Sequence, residues 1–207
     1  MEYRRRRVIT MFLLAGIVIV ALAIYAAWQS AQSSHSPQGN GEALAALEAL
    51  PVKGRAPKTG YTRSQFGAGW ATTDGCDTRN IILARDLKQA VVSSGNCKVA
   101  SGQLDDPYTG KRITFQRGSG TSTAVQIDHV VALSNAWQTG AQQLSSEQRQ
   151  QLANDPLELL AVDGPANQQK GDGDAATWLP SHKPFRCQYI ARQIAIKRKY
   201  YLWVTSG

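Results

Sequence analysis

The stretch IDHVVALSNAW, residues 127–137, places an aspartate and a histidine side by side in a run of apolar and β-branched residues. Successive side chains of a strand point to opposite faces, so at most one of Asp128 and His129 can face solvent. The other must be buried, and a buried polar group costs free energy unless it is hydrogen-bonded. The chain contains only three histidines. The pair is therefore the first candidate for a functional site.

A second stretch, NDPLELLAVDGPANQQKGD, residues 154–172, predicts what packs against that strand. We expect residues 124–131 and 157–162 to be strands, since both are rich in apolar and β-branched residues. The Asp-Gly-Pro run at 163–165 predicts a helix start, because proline is preset for the first helical position. A short helix over residues 166–170 should follow and end at a glycine. This order predicts two strands packed against a helix, with polar residues where they meet.

Other local signals predict the rest of the secondary structure. Ser145 and Gln148 form a capping-box pattern that opens a short helix. Apolar spacing favours a helix over residues 80–92, and residues 111–115 have the composition of a strand. We also expect a short helix over residues 42–50 and an amphipathic helix with a basic face over residues 186–204.

The N-terminal segment carries a membrane-targeting pattern. Arg4–Arg7 precede an uncharged run of 21 residues, 8–28, which spans roughly 30 Å as a helix. Flanking arginines hold their end of such a segment in the cytoplasm. We therefore expect residues 1–7 to be a cytoplasmic basic N-terminus and residues 8–28 a single-pass signal anchor in the cell membrane, with the rest of the chain extracellular. The alternative is a cleaved signal peptide and a secreted protein, although such peptides usually have shorter apolar cores.

Composition supports a folded domain after this segment. A chain with 43% hydrophobic and 18% charged residues is not a disordered chain. Residues 29–50 should form a polar tether and a short helix, which leaves residues 51–207 as the folded domain. The net charge of +8 lies partly in Arg4–Arg7, and the remaining excess is compatible with a polyanionic partner.

The three cysteines are too few and too scattered for a four-thiolate metal site. Exported proteins usually pair their thiols. We expect a disulfide between Cys76 and Cys97, which would close a modest loop. Cys187 then has no partner, and it is either a buried free thiol or a thiol whose partner lies outside this sequence.

Three polar residues together suggest phosphodiester chemistry. Asp128 and Asn167 offer hard oxygen ligands of the kind that suit Mg²⁺ or Mn²⁺. His129, with an ordinary pKa of about 6.5, can take a proton from water near neutral pH. A divalent ion beside a histidine base is suited to hydrolysis of a phosphodiester bond. The alternative for His129 is a structural histidine satisfied by a backbone carbonyl.

These two stretches resemble the HNH, or His-Me finger, endonuclease superfamily. Within it they are most similar to secreted HNH-type proteins related to the GmrSD restriction enzymes. The likeness includes KTGYTRSQFG, CDTRNIIL, DPYTG and RCQYIARQIAIK, and it covers roughly residues 50–204. The resemblance implies an α+β fold with a ββα-metal core, additional helices and a small sheet, here preceded by the single transmembrane helix.

The resemblance also implies roles for individual residues. Asp128 and Asn167 would hold one divalent ion, Mg²⁺ or Mn²⁺, and His129 would be the general base. Lys170 would steady either the scissile phosphate or the metal-bound carboxylate, and Asp172 would orient that lysine.

The resemblance implies roles for two further residues. Arg79 would contact the nucleic acid. Glu158 departs from the family pattern, because relatives usually carry asparagine there to brace the loop that aims the histidine. Its carboxylate would either accept from the imidazole N–H and raise the base strength of His129, or weaken the site.

The leading hypothesis is metal-dependent hydrolysis of DNA, with RNA as an alternative substrate, by a monomeric extracytoplasmic endonuclease anchored through residues 8–28. Sequence specificity should be low, because no long recognition helix is visible and contacts to phosphates carry no sequence information. The alternative is a catalytically silent surface module that binds extracellular nucleic acid or another anionic polymer. A serine hydrolase is disfavoured because the chain has no Gly-x-Ser-x-Gly elbow, and three histidines are too few for a multi-histidine zinc centre.

Overall fold

The computed structural model describes residues 38–93, 95 and 97–206. The predicted cytoplasmic N-terminus, the predicted anchor over 8–28 and the first part of the tether lie outside these residues. Contacts divide the chain into two units, with the boundary between Ala45 and Ala46. The candidate site residues all belong to the second unit.

The described helices and strands are mixed along the chain. The α-helices are α1 (Gln38–Glu48), α2 (Thr78–Asp86), α3 (Leu133–Gln138), α4 (Ser146–Asn154), α5 (Gly164–Lys170) and α6 (Arg186–Lys199). The strands are β1 (Thr72–Thr73), β2 (Cys76–Asp77), β3 (Lys88–Val92), β4 (Val99–Asp105), β5 (Arg112–Gln116), β6 (Val125–His129) and β7 (Leu159–Asp163). Short 3-10 helices lie at Arg63–Phe66, Ala141–Gln143 and Lys183–Phe185.

Strands β6 and β7 form an antiparallel pair that leads directly into α5. Asp128 lies opposite Leu160 in the register. The Asp163 side chain ends β7 and caps α5 by accepting from the Ala166 N–H at 2.8 Å, and a proline occupies the first turn of that helix. The strands and the short helix predicted in this region are therefore present, with boundaries close to those expected.

Both faces of this strand pair are buried, each in its own apolar cluster. One cluster lies against α2 and the three-stranded antiparallel sheet of order β3-β4-β5, and it contains Ile82, Leu83, Leu87, Val99, Leu104, Phe115, Val125, Ile127, Leu159 and Ala161. The other contains Tyr108, Val130, Leu160, Val162 and Tyr189. Because neighbouring side chains alternate between these clusters, Asp128 and His129 point into different surroundings.

A third apolar cluster packs around α3, α4 and the C-terminal residues. Its buried members include Phe66, Val131, Leu133, Trp137 and Leu202. It supports the connection between β6 and α3, which is where the candidate site lies.

Two predicted helices end earlier than expected. The helix predicted over 80–92 stops at Asp86, because Lys88–Val92 pairs with β4 as a strand. Pairing along a sheet favours the β-branched Val91 and Val92 more than a helix does. The helix predicted over 186–204 stops at Lys199, and the residues after it turn back into the core.

The predicted capping box is confirmed. The Ser145 hydroxyl accepts from the Gln148 N–H at 3.2 Å, and the Gln148 side chain accepts from the Ser145 N–H at 2.9 Å. These reciprocal bonds open α4.

The predicted fold class, a ββα-metal α+β fold preceded by a transmembrane helix, is wrong as stated. The structure is a mixture of helices and strands. Over residues 38–93, 95 and 97–206, it contains no helix with the length and apolar character needed to cross a bilayer. The longest helix among these described residues, α6, has 14 residues, or about 21 Å, which is short of a bilayer core of about 30 Å.

The structure joins Cys76 and Cys97 in a disulfide. This bond connects β2, immediately before α2, to the segment before β4. Cys187 is a free thiol on the exposed side of α6, so the buried alternative for this residue is wrong.

Gly164→Ala should destabilise the protein by about 3 kcal/mol, because overpacking forces the backbone to move. A Cβ added at Gly164 would lie 2.1 Å from the Thr123 carbonyl oxygen, which positions α5 against the start of β6. Urea unfolding would measure the change. Gly54→Ala is the matched control, since a Cβ there meets nothing within 4 Å. Equal stability of the two variants would contradict this account of how α5 is placed.

Candidate active site

A cleft of about 640 Å³ opens beside the C-terminal end of β6. It is lined by five of the residues predicted from the sequence: Arg79, Asp128, His129, Asn167 and Asp172. Lys170 and Glu158 do not line it. Both are buried.

Asp128 is buried, with 5% of its surface exposed, and both carboxylate oxygens have protein partners. One accepts from Lys170 Nζ at 2.8 Å, and the other accepts from the Tyr108 hydroxyl. Burial raises the pKa of the Asp128 carboxyl, while the Lys170 ammonium and the two hydrogen bonds oppose that rise. The side chain is held rigidly at the edge of the cleft.

Lys170 links the helix to the strand at two points. Its ammonium also donates to the His129 carbonyl at 2.7 Å, and its side chain has no exposed area. Of the two roles expected for this lysine, the contact with the carboxylate is present in the structure. A buried ammonium has no direct path to a phosphate in the cleft.

Tyr108 is a member of the site that the sequence analysis missed. It is fully buried and packs edge-on against Trp178 and Tyr189. Burial, and the neighbouring Asp128 carboxylate, raise the pKa of the Tyr108 hydroxyl well above its ordinary range. It therefore remains a hydrogen-bond donor to Asp128. The motif DPYTG, already part of the family resemblance, was the available signal.

His129 points to the opposite face of β6 from Asp128, and 7% of its surface is exposed. Its Nε2 lies 3.0 Å from the Ala153 carbonyl oxygen. A carbonyl only accepts, so Nε2 carries the proton of the neutral ring and Nδ1 carries the free lone pair. Burial, with a smaller contribution from Arg63, lowers the pKa of His129 to about 3. The imidazole is therefore neutral at physiological pH.

The His129 ring is also held by an aromatic stack. The Trp70 ring lies parallel to it, within 3°, with centroids 5.7 Å apart. The carbonyl contact is what a purely structural histidine would make. However, His129 also lines the cleft that contains Asp128 and Asn167, which a histidine sealed in the core would not do.

Glu158 braces the chain immediately after His129. Its carboxylate oxygens accept from the Val131 N–H at 3.2 and 3.1 Å, and its own carbonyl accepts from the Val130 N–H at 2.9 Å. The expected contact with the imidazole N–H is replaced by these backbone contacts. Complete burial raises the pKa of the Glu158 carboxyl well above its ordinary range.

Asn167 is turned toward β6. Its Nδ2 donates to the Gln126 side-chain oxygen at 2.9 Å, and Gln126 lies two residues before Asp128 on the same face of the strand. Gln126, Asp128 and Asn167 line the same cleft. They bring together one carboxylate and two amide groups.

These donors fit a hard divalent ion. Mg²⁺ is typically held by one or two carboxylates, with water and phosphate oxygens completing its shell, and each Asp128 oxygen has a second lone pair beyond the one it already uses. Within the described ranges, no group of three or more His, Cys, Asp and Glu side chains is arranged to hold a metal ion.

The rim of the cleft is positively charged. Lys58, Arg63 and Arg79 line it, and burial and the neighbouring Arg117 lower the pKa of Arg79. Neither Arg63 nor Arg79 forms a salt bridge with any carboxylate that the structure describes. Arg79 donates one hydrogen bond to the Val125 carbonyl at 3.4 Å, and its other N–H groups can meet an anion.

Asp172 lies on this rim and not against Lys170. Its carboxylate accepts from Lys58 Nζ and from the Ser134 hydroxyl, each at 3.2 Å. Those contacts lower the pKa of Asp172. The predicted orientation of Lys170 by Asp172 is therefore replaced by a contact with Lys58.

Comparison with known families decides what the chain is related to. Residues 77–206, more than half of the chain, match the family described as GmrSD restriction endonucleases, C-terminal domain. The chain belongs to this family. An uncharacterized secreted protein of Arthroderma benhamiae is 39% identical over 164 residues, which are 78% of this chain and 76% of that protein. No solved structure matches the chain.

The resemblance to proteins related to the GmrSD enzymes is thus confirmed. Membership of the GmrSD C-terminal family relates the chain to nucleases. The matched range includes Arg79, Asp128, His129, Glu158 and Asn167. It begins after Arg63 and Trp70, which the structure adds to the site.

Glu158→Gln should be more stable than wild type, and this difference in unfolding free energy should be larger at pH 8 than at pH 5 by on the order of 1–2 kcal/mol. The buried wild-type carboxyl keeps its proton while the unfolded chain ionises above the ordinary carboxyl pKa of about 4.3, so its cost to folding grows as pH rises. Glutamine keeps an acceptor for Val131 and has no charge. Denaturant unfolding at both pH values measures the difference.

Glu48→Gln, at an exposed glutamate of α1, is the matched control and should change the stability by less than about 0.5 kcal/mol at either pH. A constant difference between wild type and Glu158→Gln over this pH range would contradict the raised pKa.

Proposed function

We propose that this protein is an extracytoplasmic HNH-type endonuclease, which uses one divalent metal ion to hydrolyse phosphodiester bonds with little sequence preference. DNA is the proposed substrate, and RNA is a second one. The observation that carries this proposal is the cleft that His129, Asp128 and Asn167 line together, with Arg63 and Arg79 at its rim.

His129 is proposed to be the general base. The Ala153 carbonyl holds the Nε2 proton, which leaves the Nδ1 lone pair to take a proton from water. The low pKa keeps the free base neutral. A phosphodiester anion in the cleft would favour the imidazolium and raise that pKa, since an opposite charge nearby stabilises the charged form.

Asp128 and Asn167 are the proposed protein ligands of one Mg²⁺ or Mn²⁺ ion. When bound, this ion would neutralise charge on the phosphorane and on the leaving oxygen. Lys170 and Tyr108 hold the Asp128 carboxylate in place, so the ligand is oriented before substrate arrives. Glu158 braces the chain that follows the base.

The rim provides the proposed substrate contacts. Arg63 and Arg79 offer planar groups that can donate two hydrogen bonds to a phosphate, whereas Lys58 is paired with Asp172. Binding that depends on phosphate contacts should weaken steeply with salt. Such contacts position the strand without reading its bases, which supports low sequence specificity.

An extracytoplasmic location has two supports. The related protein of Arthroderma benhamiae is described as secreted. The disulfide between Cys76 and Cys97 suits an oxidising compartment and is unusual in a reducing cytosol.

A second candidate function is a silent module that binds nucleic acid without cutting it. The burial of Asp128 and His129, and the satisfaction of both by protein groups, favour this alternative. Both functions use the cationic rim to bind nucleic acid, and they differ only in whether the bound nucleic acid is cleaved.

Replacing His129 by alanine should reduce nicking of plasmid DNA in Mg²⁺ or Mn²⁺ by at least about 100-fold, because a general base typically contributes 10²–10⁴-fold. Chelation by EDTA should abolish the wild-type activity. A gel assay on a fragment starting at Ala46 measures both.

His182→Ala is the matched control, because His182 lines neither the cleft nor its rim, and it should retain activity. Circular dichroism should confirm that both variants are folded. Cleavage that survives both EDTA and His129→Ala would refute the metal-dependent mechanism, and DNA binding without cleavage would support the silent module.

A further inference from the structure

A second cavity, of about 320 Å³, shares walls with the candidate active-site cleft. His129, Arg63 and Leu133 line both. The remaining walls of the second cavity are mainly apolar side chains and a glycine-rich loop, including Phe66, Trp70 and residues 67–69.

We propose that this cavity binds one unpaired nucleobase of the substrate, next to the phosphate that lies beneath the cationic rim. The proposal rests on the nuclease function proposed above and deepens it by naming the substrate class. Its consequence is a preference for single-stranded nucleic acid.

The size of the cavity limits what can enter. Small-molecule pockets usually span about 300–1,000 Å³, so this one lies near the lower limit and suits a single flat ring system. A base pair or a stacked duplex step would not fit. A base in a duplex reaches such a pocket only after unstacking and unpairing, which costs free energy that a single strand does not require.

The walls of the cavity match the chemistry of a base. Phe66 and Leu133 are almost fully buried in the third apolar cluster, so they hold this side of the cavity rigid and apolar. The loop at 67–69 adds backbone N–H and C=O groups that can meet a base edge. Gly67 and Gly69 have φ values of 102° and 138°, a region in which glycine is favoured and side chains are strained. The loop therefore keeps this wall free of large side chains.

The position of Arg63 connects the two cavities. Its side chain lines both, and no carboxylate within the described residues pairs with it in a salt bridge. A guanidinium there can contact the phosphate of the same nucleotide whose base fills the cavity. His129 also borders both spaces, so a base held here would place its own phosphate beside the proposed general base.

Filling the cavity tests the proposal. Ala68 lies on the cavity wall and is exposed, so Ala68→Leu should occupy the space without disturbing the core. Ser64→Leu, on the same rim, is a second filling variant. Ala176→Leu is the matched control, since Ala176 is exposed and lines neither cavity.

Two probes separate base contacts from phosphate contacts. One is an eight-residue thymidine oligonucleotide, and the other is an octamer of abasic units with the same phosphates. Fluorescence anisotropy should show that wild type binds the thymidine octamer about tenfold more tightly, as expected for one stacked base. Ala68→Leu should lose that advantage and bind the abasic octamer as wild type does.

Cleavage provides the second readout. Wild type should cut single-stranded DNA about tenfold faster than the same sequence in a duplex, and Ala68→Leu should reduce this ratio by raising KM on the single strand. Thermal unfolding should show that each variant is folded.

The outcomes separate the two proposals. The base-binding cavity would be overturned, even if cleavage occurs, if wild type binds both octamers equally. It would also be overturned if Ala176→Leu changes octamer binding as much as the two filling variants do. Wild type could instead prefer the thymidine octamer, and Ala68→Leu lose that preference, while wild type cleaves no DNA. That result would support the base-binding cavity and overturn the nuclease function.

Discussion

The buried ion pair between Lys170 of α5 and Asp128 of β6 is the contact on which the candidate site depends. The ammonium lies 2.8 Å from the carboxylate and 2.7 Å from the His129 carbonyl. Removing one partner of such a pair leaves a buried charge unpaired, which typically costs about 3–5 kcal/mol. Helix α5 is therefore fixed to β6 at the two adjacent residues, Asp128 and His129, whose side chains are the candidate metal ligand and the candidate base. Asn167, one turn earlier on the helix, is held toward the same cleft.

The second constraint is that β6 is buried on both faces. Asp128 enters an aromatic and cationic environment with Tyr108 and Lys170, whereas His129 enters an apolar one with Trp70 and the Ala153 carbonyl. One strand thus holds a metal-ligand candidate and a base candidate at adjacent positions, each oriented by different neighbours. The cost of burying these polar groups is offset by hydrogen bonds. The result is a preorganised site, which is the condition for a proposed nuclease to act without large rearrangement.

Local signals predicted the elements that surround the site, and non-local pairing decided where they failed. The capping box at Ser145 and the proline-led start of α5 depend on neighbours a few residues away, so they could be recognised in the sequence. Residues 88–92 have apolar spacing that also suits a helix, but pairing with β4 makes them a strand. The apolar run at 8–28 led to a predicted fold class with a transmembrane helix, and none of the described helices is long and apolar enough to cross a membrane.

The sequence by itself determined the family, the adjacent Asp128 and His129, and the short helix that presents Asn167 and Lys170. These depend on residue identity and short spacing, which a linear chain displays directly. The tertiary structure alone decided that Glu158 braces Val131, that Asp172 pairs with Lys58, and that Tyr108 and Trp70 hold the two central side chains. Such partners come from different elements, and the packing that selects among the available donors and acceptors exists only after the chain has folded.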